Sequence, residues 1–141
     1  MILVDDHLAR AALSGRRWPA WGIQTPVLPW TLHVRLLRAL IDSNTLGRLS
    51  RGADADIIGA ALSPPPDTLR ILDPRPYSVA TASLMADHKV SLAAAELLAA
   101  ALEHTATIHL AEANVGRKWG QTLDGTGVTL VTYNWDELAS S

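Results

Sequence analysis

The chain contains no cysteine, which excludes disulfide bonds, thiolate nucleophiles and cysteine-ligated zinc. It has no phenylalanine, only two lysines and a formal net charge of -2. Global charge therefore gives no sign of nucleic-acid binding, which would need a local basic patch. No apolar run reaches the roughly 18 residues that span a bilayer. The short apolar start Met1–Val4 also lacks the preceding basic region of a signal peptide. We therefore expect a cytoplasmic protein that does not contact membranes.

What is present is typical of one globular domain. The 141 residues are 48% hydrophobic and 18% charged, which fits neither a disordered tail nor a fibre. A chain of this length leaves no room for a second substantial core. We therefore expect residues 1–141 to form a single domain.

Short apolar segments alternate with segments of helical periodicity along the chain. The apolar segments predict strands at 1–4, 68–72, 107–111 and 128–132, and the proline-rich loop 16–30 has room for one more extended piece. The periodic segments predict helices at 6–13, 31–42, 56–62, 77–88, 92–103 and 115–123. Short apolar strands separated by helices are typical of a parallel sheet covered on both faces. The predicted fold is α/β, a three-layer α/β/α sandwich with a mostly parallel sheet of four or five strands.

Acidic residues follow two of the predicted strands, and a third acidic position lies inside an apolar helix. Asp5 and Asp6 come directly after the first strand, and Glu112 comes directly after the strand at 107–111. Carboxyl ends of parallel strands meet at one edge of a sheet, so we expect these side chains to lie close together. Glu96 stands in the otherwise apolar run 92–102, where a buried carboxylate must be paired, protonated or facing a cation.

Convergent carboxylates without cysteine are the ligands that Mg²⁺ or Mn²⁺ prefers, and such an ion can activate water for phosphodiester hydrolysis. The sequence thus predicts a metal site with Asp5, Glu96 and Glu112 as catalytic ligands and Asp6 as a fourth acid. Each acid also has a purely structural interpretation. Asp5 or Asp6 can cap a helix, Glu96 can pair with an arginine, and Glu112 can be an exposed acid in a first helical turn.

Two arginines share a face of the second predicted helix and are candidate substrate-binding residues. Arg35 and Arg38 would steer a phosphodiester towards the metal. The alternative is that they pair with Glu96 or Asp42, in which case they would fill the place of the metal.

The loop after the first helix combines basic and aromatic residues. Arg16 and Arg17 precede Trp18 and Trp21, so the loop could contact RNA phosphates and stack on unpaired bases. The alternative places Trp18, Trp21 and Trp30 in the core or in a dimer interface, where large aromatic side chains are common.

Four segments of the chain together resemble a PIN domain. They are the opening strand and acid Ile2-Leu3-Val4-Asp5, the alanine-rich helix at 91–103, the strand and acid at 106–112, and the final strand at 127–132. The resemblance implies an α/β/α fold, with Asp5, Glu96 and Glu112 as metal-site carboxylates. The family usually has its helical acid where this chain has Ala94. It also has a glutamate in a helix about forty residues in, for which Asp42 is the nearest candidate here.

By resemblance, the expected function is that of a ribonuclease dependent on Mg²⁺ or Mn²⁺. It would act on RNA, bind an antitoxin protein and form a homodimer. The alternative is a catalytically inactive PIN-like module that binds a protein partner through its tryptophan-rich loop. A third interpretation rests on Asp5-Asp6-His7, which looks like the start of a response-regulator receiver domain. However, Ala61 stands where the phosphate-accepting aspartate would be.

Overall fold

A computed structural model describes residues 1–45 and 52–139, and the side chains of these except 43–45, 52–56 and 139. Five strands lie in the described ranges: β1 (Ile2–Val4), β2 (Pro26–Pro29), β3 (Arg70–Leu72), β4 (Thr107–Ala111) and β5 (Thr129–Tyr133). The α-helices there are α1 (Asp6–Leu13), α2 (Trp30–Thr45), α3 (Gly52–Leu62), α4 (Ser78–His88), α5 (Leu92–His104), α6 (Lys118–Leu123) and α7 (Trp135–Ala139). Short 3₁₀ turns are formed by Pro19–Trp21, Arg75–Tyr77 and Glu112–Asn114.

The strands form one parallel sheet in the order β3-β2-β1-β4-β5. Leu3 of β1 is in register with Val27 of β2 on one side and with Ile108 of β4 on the other. The chain runs outward from β1 to β2 and β3 before it crosses to β4. The carboxyl end of β1 therefore lies at the switch point of the sheet, where ligands of open α/β folds bind.

Apolar patterning explains why β1 and α5 occupy the centre. All three residues of β1 are buried, as expected for a parallel strand covered on both faces. Helix α5 buries every residue from Ala95 to Ala101, which its nearly continuous apolar sequence predicts. The α/β/α sandwich with a parallel sheet, predicted from the sequence, is confirmed.

The structure corrects several predicted boundaries. The loop 16–30 does contain a strand, β2, whose two prolines stand at its ends, where a missing N–H disturbs the ladder least. The predicted helix at 115–123 begins only at Lys118, because the 3₁₀ turn Glu112–Asn114 comes first. Helix α7 follows the last strand and was not predicted. None of the helices in the described part of the chain is long and apolar enough to cross a membrane.

Candidate functional site

Asp5 lies at the switch point of the sheet, and its carboxylate accepts three hydrogen bonds from N–H donors. Its Oδ1 accepts from the backbone N–H of Leu8 (2.9 Å), which caps α1. Its Oδ2 accepts from the backbone N–H of Ala111 (2.7 Å) and from Nδ2 of Asn114 (2.7 Å). The side chain is 0% exposed, and burial raises the pKa of Asp5 even though these three hydrogen bonds favour the charged form. Asp5 therefore ties the end of β1 to α1 and to the end of β4.

Asp6 is neutralised by Arg35 of α2. The guanidinium donates through Nη2 to Oδ1 (2.7 Å) and through Nε to Oδ2 (2.9 Å), a bidentate arrangement. Nδ2 of Asn114 adds a longer hydrogen bond to Oδ1 of Asp6 (3.2 Å). Burial alone would raise the pKa of Asp6, but the hydrogen bonds and charge of Arg35 outweigh it, so the pKa lies below its ordinary value. Arg35 thus supplies a positive charge beside Asp6, at the edge where a metal ion was expected.

Glu96 is buried because it caps a helix. Its Oε1 accepts from the backbone N–H of Thr31 (3.0 Å), and its Oε2 accepts from the Thr31 hydroxyl (2.7 Å). Thr31 is the second residue of α2, where backbone N–H groups lack partners within the helix. A carboxylate at this position satisfies one of those groups and interacts favourably with the helix dipole. Glu96 pairs with Thr31 and not with an arginine, so the alternative of a structural ion pair is wrong for this residue.

Glu112 is exposed and begins the 3₁₀ turn after β4. The residue of this turn that reaches the carboxylates is Asn114, two positions later. Sequence reasoning missed Asn114, although an amide just past a strand that leads to the predicted edge was a usable signal.

The four predicted ligands do not form a metal-binding group. Within residues 1–45 and 52–139, no three side chains from His, Asp and Glu are placed so that they could hold one ion. Asp5 and Asp6 accept hydrogen bonds from N–H donors, one of them cationic, and Glu96 is committed to Thr31. Ala94 contributes a methyl group to the cavity of about 60 Å³ beside Asp5. In this arrangement the oxygens of Asp5, Asp6 and Glu96 are used by donors of the protein itself, and the described residues offer a Mg²⁺ or Mn²⁺ ion no ready-made set of three side-chain ligands.

The other predicted arginines are engaged by the protein itself. Arg16 donates to the carbonyls of Leu138 (2.6 Å) and Glu137 (2.6 Å) of α7. Arg17 donates to the carbonyls of Gly22 (3.0 Å) and Gln24 (2.8 Å). The Arg16 guanidinium therefore ties the loop to α7, and the Arg17 guanidinium orders the loop itself.

Arg38 has a local partner as well. It forms an exposed i,i+4 ion pair with Asp42 at 3.6 Å, which was the alternative interpretation of this arginine. Asp42 is thus paired with Arg38, and the α2 side chain that contacts Asp6 is Arg35.

The tryptophan-rich loop packs inward. Trp21 is fully buried, and Trp18 lies half-buried with its ring centroid 5.0 Å from that of Trp21 and 5.2 Å from that of Tyr133. These two side chains follow the core interpretation, while Trp30 is half-exposed at the start of α2. The loop therefore offers a partner little of the aromatic surface that the alternative function assigned to it.

A basic cavity adjoins the carboxylate edge. It has a volume of about 250 Å³, and its charged lining residues are Lys89, Arg117 and Lys118. None of the described residues that line it is acidic. It shares Asn114 and Trp119 with the small cavity beside Asp5. Sequence reasoning missed these three cations because they come from separate segments: Lys89 is the C-cap of α4, whereas Arg117 is the N-cap of α6 and Lys118 its first residue.

Comparisons with known proteins support the architecture alone. No family model matches the chain, and no curated protein matches it either. The chain is similar to the crystal structure of PAE2754 from Pyrobaculum aerophilum, with a TM-score of 0.61 and 15% sequence identity. The alignment covers 92% of this chain and 90% of that one. At this identity the likeness shows a shared α/β/α fold.

Proposed function

We propose that this chain is a PIN-like module that binds single-stranded RNA through its phosphates and does not cleave it by metal-dependent hydrolysis. The observation that carries the proposal is the clustering of Lys89, Arg117 and Lys118 around one cavity at the carboxyl edge of the sheet. In a chain of net charge -2, this is a local basic patch of the kind that RNA binding requires.

The lining of the basic cavity suits a nucleotide backbone. The cationic side chains attract phosphate oxygens, and Ser91 and Asn114 add polar groups beside them. Trp119, which is only 8% exposed, forms part of the apolar wall of the cavity. The Lys118 ammonium donates to the backbone carbonyl of Lys89 (3.2 Å), which holds the two lysine segments together.

The neighbouring carboxylates support binding without hydrolysis. A metal-activated water would need Asp5 and Asp6 to bind an ion, but Arg35 and backbone N–H groups already occupy their oxygens. With Arg35 in that place, the charge of Asp6 is balanced and does not repel an approaching phosphate.

The experiment measures the affinity of a fluorescently labelled single-stranded RNA by anisotropy over a range of salt concentrations. The double variant Arg117→Ser/Lys118→Ser removes two phosphate contacts, and Arg10→Ser/Arg70→Ser, which removes two exposed arginines outside the cavity, is the matched control. Each contact to a single strand contributes about 0.7 to the salt slope, so the double variant should lower the slope by about 1.4 and weaken binding about 25-fold at 0.1 M salt. An unchanged slope, or an equal loss in the control, contradicts the proposal.

The metal-dependent ribonuclease predicted from the sequence is tested with the same RNA. We expect the RNA to stay intact on incubation with Mn²⁺. Cleavage that disappears in a folded Asp5→Asn variant would reinstate hydrolysis and reject this part of the proposal. Toxin activity, an antitoxin partner, a homodimer and a cytoplasmic location stay predictions from the sequence.

A further inference from the structure

A second cavity, of about 290 Å³, lies where α1, the turn Glu112–Asn114 and α7 meet. Its lining includes His7, Glu112, Tyr133 and Trp135, and it shares no lining residue with the basic cavity. The two cavities differ in charge: three cations line the first, whereas the second is lined by the acid Glu112 and by aromatic rings.

Trp135 forms an exposed wall of the second cavity on a helix that is fixed at both ends. Its side chain is 73% exposed. At the start of α7, Asn134 and Glu137 exchange hydrogen bonds: the Glu137 N–H donates to Asn134 Oδ1 (2.8 Å) and the Asn134 N–H donates to Glu137 Oε1 (3.3 Å). At its end, Arg16 binds the carbonyls of Glu137 and Leu138. The backbone that carries Trp135 is thus held in place before any ligand arrives, which lowers the entropic cost of binding.

Glu112 supplies an uncommitted charge in the same cavity. Among the residues that the structure describes, its carboxylate has no hydrogen-bond or ion-pair partner. An exposed aromatic face next to an unpaired carboxylate is a combination that attracts a cation. The same carboxylate repels an anion, so the second cavity is unsuited to RNA phosphate.

We propose that the second cavity binds a guanidinium or ammonium group, which lies on the Trp135 face and pairs with Glu112. The His7 imidazole adds a hydrogen-bonding nitrogen beside it. This site is independent of RNA binding, since the two cavities have no residue in common.

The test is calorimetry with N-acetyl-L-arginine methylamide and with its citrulline counterpart, which has nearly the same shape but no charge. We expect the citrulline compound to bind at least about tenfold more weakly. Trp135→Ala and Glu112→Gln should each weaken arginine binding at least about fivefold, because each removes one of the two attractions. Trp30→Ala, which removes another exposed tryptophan, and Glu103→Gln on α5 should leave it unchanged.

Circular dichroism checks that each variant is folded. Trp135→Ala should keep its fold, since the hydrogen bonds that hold α7 do not involve the indole. Free arginine distinguishes the source of the group. If the blocked compound binds as well as free arginine, the cation belongs to a protein side chain, and if free arginine binds better, it belongs to a small metabolite. No measurable binding, equal binding of the citrulline compound, or full affinity in Trp135→Ala overturns the proposal.

Discussion

Replacing Arg35 with methionine removes the positive charge at the carboxylate edge while keeping an aliphatic stem of similar length. The Asp6 side chain is only 11% exposed, so it would become a poorly solvated charge without a cationic partner. For charge centres about 4 Å apart and an effective dielectric constant of about 20, the lost attraction is about 4 kcal/mol. Arg35 is 45% exposed, so solvent screening and desolvation reduce this to about 1–2 kcal/mol of net stability.

The pH dependence of the Arg35→Met effect follows from Asp6. Its pKa is lowered in the folded chain, so the stabilisation is fully present above the unfolded value of 3.8 and is lost as the pH falls through the folded pKa. Without Arg35, burial raises the pKa of Asp6, so the variant takes up a proton before the wild type does as the pH falls. The difference between wild type and Arg35→Met should therefore be constant near neutral pH, begin to shrink above pH 3.8 and continue to shrink as the pH falls through the wild-type folded pKa.

Urea unfolding followed by circular dichroism measures this effect, with Asp6→Asn completing a double-mutant cycle. We expect a coupling free energy of about 1–2 kcal/mol at pH 7. If Arg35→Met costs the same in the Asp6→Asn background as in wild type, the pair does not stabilise the chain. The account of Arg35 as the counter-charge of this edge would then be refuted.

Two further predictions concern stability. Asn114→Asp places a third carboxylate beside Asp5 and Asp6. Measured by differential scanning fluorimetry, the melting temperature of this variant should be lower than that of the wild type without added metal and should rise when Mn²⁺ is added. A melting temperature that does not change with Mn²⁺ contradicts this. Burial lowers the pKa of His109, whose Nδ1 lies 2.8 Å from the Tyr133 hydroxyl. As the pH falls, the unfolded chain therefore binds a proton at this histidine before the folded chain does. Stability should decline below about pH 6.5, by at most about 1.4 kcal/mol per pH unit. Denaturant titrations should show that decline missing from His109→Gln, and an equal decline in that variant would rule out His109 as its source.

The fold was predictable because its signals are local. Three buried apolar residues followed by Asp5 predict a central strand with a helix cap, and Asp5 does cap α1. The alanine-rich run predicts a buried helix because almost any face of α5 can pack. Strand β2 was harder to predict, since Pro26 and Pro29 look like loop residues until their end positions in the ladder are known.

The site was only partly predictable because partners are chosen by packing. The sequence places Asp5 at the correct edge, yet nothing local shows that Thr31, 65 positions away, takes the Glu96 carboxylate. Periodicity puts Arg35 and Arg38 on one helix face without showing that one meets Asp6 and the other a neighbour four residues on. Successive side chains on a helix differ in direction by about 100°, so polar residues on one broad face still point to different neighbours. Only the docking of α2 against α1 decides which arginine meets Asp6.

Arg35 also determines what the carboxylate edge can do chemically. A divalent ion at the switch point would leave open coordination positions for water, whereas a guanidinium has only N–H donors and no site at which water could ionise. Its donors Nε and Nη2 are used on Asp6, so the arrangement balances charge and fixes geometry but generates no nucleophile. The cations Lys89, Arg117 and Lys118 line the neighbouring basic cavity, where none of the described lining residues is acidic. A phosphate attracted to them would meet an edge at which Arg35 already pairs with Asp6 and generates no nucleophile, and this favours retention of the ligand over its hydrolysis.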